Sequence, residues 1–170
     1  MSWKSKSMFS FDPAAHSQRQ IYKLMTGIIV PRPIALVSTV DGAGNANLAP
    51  FSFFAGVGSA PPTVLFCPAL RPAGTSHAER RKDTLRNVEE TREFVINIVN
   101  EAIAEQTNMT AAEVDPEVNE FSLSGLTPLA SEVVKAPRVA ESPAQMECRL
   151  TQVIYTGDQP ASGVVVLGEV

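Results

Sequence analysis

Residues 31–57 constrain the fold more than any other part of the sequence. They begin with two prolines that prevent a helix from continuing, and residues 34–40 are rich in the branched side chains that favour a strand. The next four residues, 41–44, contain two glycines, which can adopt the positive φ angles of a hairpin turn. Residues 47–57 have the composition of the returning strand, with an interruption at Pro50. The chain is therefore expected to contain an antiparallel hairpin.

Short strands and helices continue along the rest of the chain, separated by turns that contain proline or glycine. Strand composition recurs at residues 63–67, 94–99, 145–156 and 164–170. Helical patterns cover residues 17–25, 82–91 and 101–109. Asp83 is the expected N-cap of the second helix, residues 68–81 predict a long loop, and residues 110–143 predict an irregular surface segment. Many short strands with few helices predict a mainly β fold, a closed or nearly closed β-barrel.

Length and charge limit the domain count and the partners. A chain of 170 residues suits one domain, so we expect a single domain over residues 1–170, with a mobile lead-in at residues 1–12. The chain stops at Val170 in a strand-like segment, so the C-terminal end of the domain is expected to be missing. The net charge of −4 gives no reason to expect nucleic acid or an acidic membrane as a partner.

The two cysteines and the hydropathy pattern indicate the cellular compartment of the protein. Cys67 and Cys148 form no C-x-x-C pair, which argues against a zinc site and against a disulfide framework. No apolar run approaches the roughly 18 residues that a membrane-spanning helix needs, and the N-terminus lacks the apolar core of a signal peptide. These features predict a soluble protein of the reducing cytoplasm, without a bound metal.

Four blocks of sequence carry a family resemblance. They are PRPIALVST at 31–39, NLAPFSFF at 47–54, RKDTLRN at 81–87 and FVIN at 94–97. In this order and spacing they closely resemble the flavin reductase-like family, whose fold is an FMN-binding split β-barrel. The later segments GLTP and KAPRVAESP agree with the same family, and the resemblance covers roughly residues 15–170.

The resemblance implies a cofactor, a reductant and an oligomeric state. Members of the family bind FMN between two subunits and pass hydride from NADH or NADPH to the flavin. It therefore implies a homodimeric FMN-binding oxidoreductase, an NAD(P)H-dependent flavin reductase, with an oxygenase or another redox protein as a further partner. An FMN-bound electron carrier of the flavoredoxin type and a flavin-binding module without turnover remain alternatives, because the sequence does not separate them.

The start of the helix at residues 82–91 is the candidate phosphate site. Unpaired backbone N–H groups and the helix dipole favour an anion there, while Lys82 adds a positive charge and Thr84 a hydroxyl donor. A capped surface helix with a solvated basic run explains the same residues. The resemblance favours the FMN phosphate at Lys82 and Thr84, with Asp83 beside them, although an N-cap carboxylate competes with phosphate for the same amides.

Six residues of the hairpin are candidates for contacts with the rest of FMN. They are Ser38, Thr39, Asn47, Leu48, Ala49 and Ser52. The resemblance implies that the backbone of the three consecutive residues, 47–49, lies along the isoalloxazine ring, and that the three hydroxyls hold the polar middle of the cofactor. The alternative is a purely structural role. The three hydroxyls would then be the polar half of an alternating strand, and residues 47–49 would be part of an edge strand that bends at Pro50.

No side chain is expected to act as a catalytic acid or base. Hydride transfer to a flavin depends on positioning, and the sequence shows no dyad, no P-loop and no G-x-G-x-x-G motif. Asn97 lies within an apolar strand, so its amide either bridges strands or reaches the cofactor, and we favour bridging. His77 in the long loop is the better histidine candidate for a function, against the commoner solvated loop histidine.

Overall fold

The computed structural model describes residues 10–72, 79–112, 114 and 118–170. Contacts divide the chain into two compact units, one that ends at Pro31 and one from Arg32 to Val170, and each is described by itself. The single domain over residues 1–170 stays a prediction, and most of the predicted mobile lead-in lies outside the described residues. No helix within the described ranges is long and apolar enough to cross a membrane.

In the described part of the first unit, residues 10–31, the chain forms a short 3-10 turn (Pro13–Ala15) and then the α-helix α1 (Gln18–Ile28). Ser17 caps α1, because its hydroxyl accepts from the Gln20 backbone N–H while the Gln20 side chain accepts from the Ser17 N–H at 3.0 Å. This reciprocal pair satisfies two amides that would otherwise lack partners at the start of the helix. The predicted helix is confirmed, but it includes Gly27 instead of ending before it.

The second unit is built on one antiparallel sheet of seven strands. The strands are β1 (Ala35–Val40), β2 (Ala46–Phe51), β3 (Phe54–Ser59), β4 (Pro62–Phe66), β5 (Glu93–Ile98), β8 (Gln145–Tyr155) and β9 (Val164–Glu169), and a separate hairpin comprises β6 (Pro128–Leu129) and β7 (Arg138–Val139). The order across the large sheet is β2-β1-β5-β8-β9-β4-β3. The helices of this unit are α2 (Asp83–Thr91), α3 (Ala104–Met109), which follows a 3-10 turn (Glu101–Ile103), and α4 (Glu120–Ser124).

The chain path forces this sheet to curl. β2 and β3 are its two edge strands, yet only Ser52 and Phe53 separate them along the chain. Three Cα–Cα steps span at most about 11 Å, so the two edges come together at this point. The Cys67 N–H, just past β4, donates to the Phe53 carbonyl at 2.9 Å. The sheet is therefore a barrel that is split between β2 and β3, which confirms the predicted mainly β, split-barrel fold.

β1 is buried along its whole length because both of its faces are covered. Ala35 and Val37 belong to the barrel core, where the rings of Phe66 and Phe94 lie 5.3 Å apart. Leu36 points to the opposite side and packs in a second apolar cluster with side chains of α4 and β7. Helix α2 packs against β1, and α4 packs against β2. Polar residues of these two strands are therefore covered by helices, which gives the setting for a site.

Three sequence predictions need correction. Residues 47–57 form two strands instead of one, and the break falls at Ser52 and Phe53. Pro50 lies inside β2, paired with Leu36, and is tolerated because β2 is an edge strand with one side unpaired. The predicted helix at 101–109 begins as a 3-10 turn, and the segment expected to be irregular contains α4 and the β6–β7 hairpin.

Candidate functional site

A cavity of about 180 Å³ lies in the second unit, between β2, the first turn of α2 and the segment that leads into α4. Strand β2 contributes Asn47 and Ala49 to its wall, and the start of α2 contributes Lys82, Asp83 and Thr84. The wall also includes the small side chains of residues 110–112 and two charged side chains, Arg71 and Glu120. The cavity is thus lined by polar and charged groups from distant parts of the sequence.

The N-cap of helix α2 lies one residue before the predicted one. Lys82 occupies the N-cap position in an extended conformation and makes no side-chain capping hydrogen bond, so the predicted N-cap role of Asp83 is wrong. Asp83 instead pairs with Arg71 at 2.7 Å and with Arg86 at 2.9 Å. Burial raises the pKa of the Asp83 carboxyl, but the hydrogen bond from Arg71 and the two positive charges outweigh burial and lower it. The backbone N–H of Asp83 also donates to its own carboxyl, so the later first-turn amides of α2 are the ones available to an anion.

Arg71 is a cationic side chain buried in the cavity wall, with 8% of its surface exposed. Its Nη1 donates to the Arg81 carbonyl at 2.7 Å, and its Nη2 donates to Asp83. The third nitrogen, Nε, is buried, and its N–H has no acceptor among the described residues. A buried donor without an acceptor is costly, and an anionic ligand in the cavity is the kind of group that would satisfy it.

A chain of hydrogen bonds connects the start of α2 to β2 and α4. The Thr84 hydroxyl donates to Asn47 Oδ1 at 2.8 Å, and Asn47 Nδ2 donates to Glu120 Oε1 at 2.8 Å. The second carboxyl oxygen of Glu120 accepts from the Leu48 N–H at 3.2 Å. Thr39 donates weakly to the same Asn47 oxygen, at 3.4 Å. Asn47 is therefore the centre of the network, and Glu120 fixes which end of its amide points to Thr84.

Glu120 is a buried carboxyl group on a short helix. Burial raises its pKa, hydrogen bonds from the backbone and from Asn47 oppose that effect, and the negative charge of Asp83 raises it further. The net result is a raised pKa, so this group takes up a proton more readily than an exposed glutamate. Two carboxyl groups of different acidity, Asp83 and Glu120, thus face one small cavity.

Ser38 and Asn97 form a separate buried cluster under the β6–β7 hairpin. The Ser38 hydroxyl donates to the Pro137 carbonyl and accepts from Asn97 Nδ2 at 3.1 Å. Asn97 also donates to the Leu36 carbonyl at 3.0 Å and accepts from the Val139 N–H at 2.8 Å. The amide of Asn97 joins β1, β5 and β7, so the prediction that it bridges strands is confirmed.

The structure brings together five of the residues predicted to bind the cofactor. The residues in the cavity wall are Asn47, Ala49, Lys82, Asp83 and Thr84. The other four, Ser38, Thr39, Leu48 and Ser52, do not line it: the first three are fully buried, and the last lies in the break between the edge strands. Contact of any of these residues with a cofactor stays a prediction. His77 lies outside the described residues.

Sequence reasoning missed Arg71 and Glu120. Arg71 follows a proline-containing stretch that indicates only a loop, and Glu120 lies in the segment predicted to be an irregular surface. The one local signal for Glu120 is Asn119, which caps α4 by accepting from the Phe121 N–H at 2.9 Å. That signal predicts a helix start, but not that the next side chain is buried against β2.

The cysteines do not offer a reactive thiolate. Burial raises the pKa of both thiols, and it raises that of Cys148 to about 12. Both therefore stay protonated at neutral pH and behave as small apolar side chains. Across the part of the chain that the structure describes, no group of three or more His, Cys, Asp or Glu side chains is placed to hold a metal ion.

Comparison with known proteins agrees with this fold. The flavin reductase like domain family matches residues 26–170. An uncharacterized protein of Aquifex aeolicus is 43% identical over 149 residues, which are 88% of this chain and 71% of the relative.

Solved structures of similar fold include flavin-related redox proteins. The chain resembles component B of nitrilotriacetate monooxygenase from Bacillus cereus, with a TM-score of 0.89, 38% identity and coverage of 98% of this chain and 80% of that one. It resembles 2-nitrobenzoate 2-nitroreductase NbaA of Pseudomonas fluorescens, with a TM-score of 0.82, 30% identity and coverage of 95% and 74%. It also resembles flavoredoxin of Desulfovibrio vulgaris (Miyazaki F), with a TM-score of 0.67, 26% identity and coverage of 82% and 67%.

Fold, cavity and relatives together define a split-barrel flavoprotein. The family match covers most of the chain, including every strand of the barrel and every residue of the cavity wall. The chain belongs to the flavin reductase-like family. A flavin-binding redox role follows from that membership.

Proposed function

We propose that the protein binds FMN and acts as an NADH- or NADPH-dependent flavin reductase. The observation that carries the proposal is the buried Arg71 with its free Nε, beside the start of α2, in a chain of this family. A guanidinium, an ammonium group and the amides of a helix start are the donors that a phosphate ester requires. Riboflavin lacks that ester, so this cavity fits FMN better.

Five polar residues of the cavity have binding roles in this proposal. Arg71, Lys82 and the first-turn amides of α2, including that of Thr84, hold the phosphate. Asn47 and Glu120 face the ribityl chain with amide and carboxyl groups. Bound FMN would supply a ring that accepts hydride from the nicotinamide. The protein itself binds and orients, and no side chain needs to transfer a proton.

The size of the cavity supports the proposal of a homodimer. About 180 Å³ is less than the several hundred Å³ typical of a pocket that encloses a whole cofactor. The cavity suits the phosphate and part of the ribityl chain, so the ring would lie outside it. A second copy of the chain is the proposed cover for the ring. Ser38, Thr39, Leu48 and Ser52 remain the predicted contacts of the polar middle and the ring edge.

An FMN-bound electron carrier is the second candidate. It is favoured by the similarity to flavoredoxin, at 26% identity. The similarity to a monooxygenase component B favours a reductase that serves a partner oxygenase. A cytoplasmic location stays a prediction with either function.

The phosphate site is tested by a double substitution. At mildly acidic pH, Lys82→Ala with Thr84→Ala should weaken FMN binding by about 2–4 kcal/mol, because one charged donor and one hydroxyl donor are removed together. Riboflavin binding should change little. Fluorescence titration with both flavins measures the difference, and the exposed pair Lys135→Ala with Thr151→Ala is the control. Folded wild-type protein that binds no FMN at tens of micromolar, about 6 kcal/mol, would refute the proposal.

The reductase and carrier functions are separated by anaerobic single-turnover absorbance. The FMN-loaded protein is mixed with NADH or NADPH, and a reductase should bleach the flavin band within seconds. Dithionite serves as the control that the bound flavin is reducible. Bleaching by dithionite but by neither nucleotide would rule out the reductase in favour of the carrier.

A further inference from the structure

Glu120 has no place in the sequence-based description of the site, yet it is the carboxyl group that contacts the central amide of the hydrogen-bond network. Its Oε1 accepts from Asn47 Nδ2 at 2.8 Å, and its Oε2 accepts from the Leu48 N–H at 3.2 Å. An ionised carboxylate can only accept hydrogen bonds. It therefore holds Asn47 with its amide nitrogen toward Glu120 and its carbonyl oxygen toward Thr84.

This orientation determines where the Thr84 hydroxyl points. A hydroxyl has one hydrogen, and that of Thr84 is donated to Asn47 Oδ1 at 2.8 Å. A phosphate dianion can only accept hydrogen bonds. It can therefore bind the Thr84 hydroxyl only if the hydroxyl hydrogen is no longer donated to Asn47. Thr84 therefore offers a phosphate its backbone N–H but not its hydroxyl as long as Asn47 keeps this orientation.

We propose that Glu120 is a positioning residue of the phosphate site, which controls through Asn47 whether the Thr84 hydroxyl donates to a bound phosphate. A proton taken from solvent onto Glu120 makes it a donor, which favours the reversed Asn47 amide. Asn47 Nδ2 then donates to the Thr84 oxygen, and the Thr84 hydrogen is released for the phosphate. The inference rests on the proposed FMN site and adds its regulation by protonation.

The charges around Glu120 also influence whether its carboxyl is protonated. Among the described residues, the titratable and charged groups that line the cavity with Glu120 are Asp83, Lys82 and Arg71, while β2 and residues 110–112 and 114 contribute none. Helix α3, which packs against α4, adds the exposed Glu105. Burial and the charge of Asp83 already raise the pKa of Glu120. A phosphate adds negative charge to this cavity, so it favours the protonated carboxyl further. Protonation of Glu120 should therefore accompany the binding of FMN but not of riboflavin.

The main test is Glu120→Gln, which resembles the protonated carboxyl in shape and in having a donor. Its dissociation constants for FMN and riboflavin are compared with those of wild type from about pH 5 to 8. We expect about tenfold tighter FMN binding by the variant near pH 8, a difference that shrinks as the pH falls and Glu120 takes up its proton, with riboflavin unchanged. Ionisation of the FMN phosphate affects both proteins equally. The control, Glu105→Gln, removes an exposed carboxylate from α3 and should behave as wild type.

A second measurement follows the hydroxyl directly. Thr84→Val keeps the shape of the side chain but removes the hydrogen, so it should cost about fivefold in FMN affinity when Glu120 is protonated, and the cost should shrink as the pH rises from about 5 to 8. Combined with Glu120→Gln, it should cost about fivefold at both pH values. A pH-independent effect of Thr84→Val, or equal effects of Glu120→Gln on both flavins, would overturn the proposal.

The outcomes distinguish this inference from the proposed function. A folded wild-type protein that binds neither flavin refutes both. If FMN affinity depends on Lys82 but Glu120→Gln leaves it unchanged at every pH, the proposed phosphate site stands and only the role of Glu120 is refuted.

Discussion

Asp83 shows how one residue can have a role that its position in the sequence does not reveal. Its place at a helix start predicts a capping carboxylate, but Lys82 occupies the N-cap and Asp83 forms ion pairs with two arginines. One of them, Arg71, precedes Asp83 by 12 positions in the sequence, and residues 73–78 between them lie outside the described ranges. Both side chains are largely buried, with 9% of Arg71 and 16% of Asp83 exposed, so removal of Asp83 would leave Arg71 as an uncompensated buried charge.

Replacing this carboxylate should make stability depend on pH less than it does in wild type. Because the pKa of Asp83 is lowered by folding, its contribution is present above the ordinary aspartate pKa and is lost as the pH falls through the lower, folded value. Asp83→Asn should cost about 1–3 kcal/mol at pH 7 and a smaller amount near pH 3, below the ordinary aspartate pKa. Urea unfolding followed by circular dichroism measures both values.

Asp158→Asn makes the same chemical change at an exposed position and should cost less than about 0.5 kcal/mol at either pH. A cost of Asp83→Asn that is equal at pH 7 and near pH 3 would contradict the ion pair as its cause.

At the scale of elements, β9 is fitted closely against its neighbours in the sheet. Gly168 pairs with Leu150 of β8, and a Cβ at this glycine would lie 2.8 Å from Phe94 Cε1 and 3.3 Å from Cys148 Cβ. The Phe94 ring is fully buried in the barrel core and cannot move into solvent. The absence of a side chain at residue 168 therefore allows β9 to cross the aromatic core.

Gly168→Ala should destabilise the barrel by about 1–3 kcal/mol, because the buried ring must shift to accept the methyl group. Gly163→Ala is the matched control, since its nearest neighbour, the Thr156 hydroxyl oxygen, would lie at an ordinary 3.7 Å. Thermal or urea unfolding of the two variants measures the difference. Equal stabilities of the two variants would contradict close packing of Phe94 against residue 168.

At the scale of the whole molecule, the split in the barrel leaves an exposed edge. β3 is an edge strand, and five of its six residues are exposed, among them Val57 with 53% of its surface in contact with solvent. Exposed edges and apolar side chains of this kind offer a surface on which a second chain can pack. This observation is independent of the small cavity, and it supports the same proposal of a second copy.

Light scattering after size exclusion should therefore give about twice the chain mass of 18.2 kDa at micromolar concentration. Val57→Lys places a charge on the exposed edge and should shift the population toward monomer, whereas Val133→Lys, on an exposed loop, should not if β3 lies in the interface. A wild-type monomer with full FMN affinity would exclude a flavin site that is shared between subunits.

The sequence by itself determined the local elements and the family. The hairpin of β1 and β2, the strand β5 and the helix α2 were predictable because periodicity, turn residues and β-branched side chains act between near neighbours. The position of Lys82 and Thr84 at a helix start was predictable for the same reason. Tertiary structure alone decided the break at Ser52, which follows from closing a seven-stranded sheet onto its own edge.

Only the tertiary structure also placed Arg71 and Glu120 in the cavity. Glu120 binds the side chain of Asn47 from 73 positions away, and Arg71 reaches Asp83 from 12 positions away. No local pattern encodes such contacts, because burial of a charged side chain depends on which distant elements pack around it. Local sequence patterns thus define the strands and the helix that carry the site, whereas packing between distant segments determines which charged groups face its ligand.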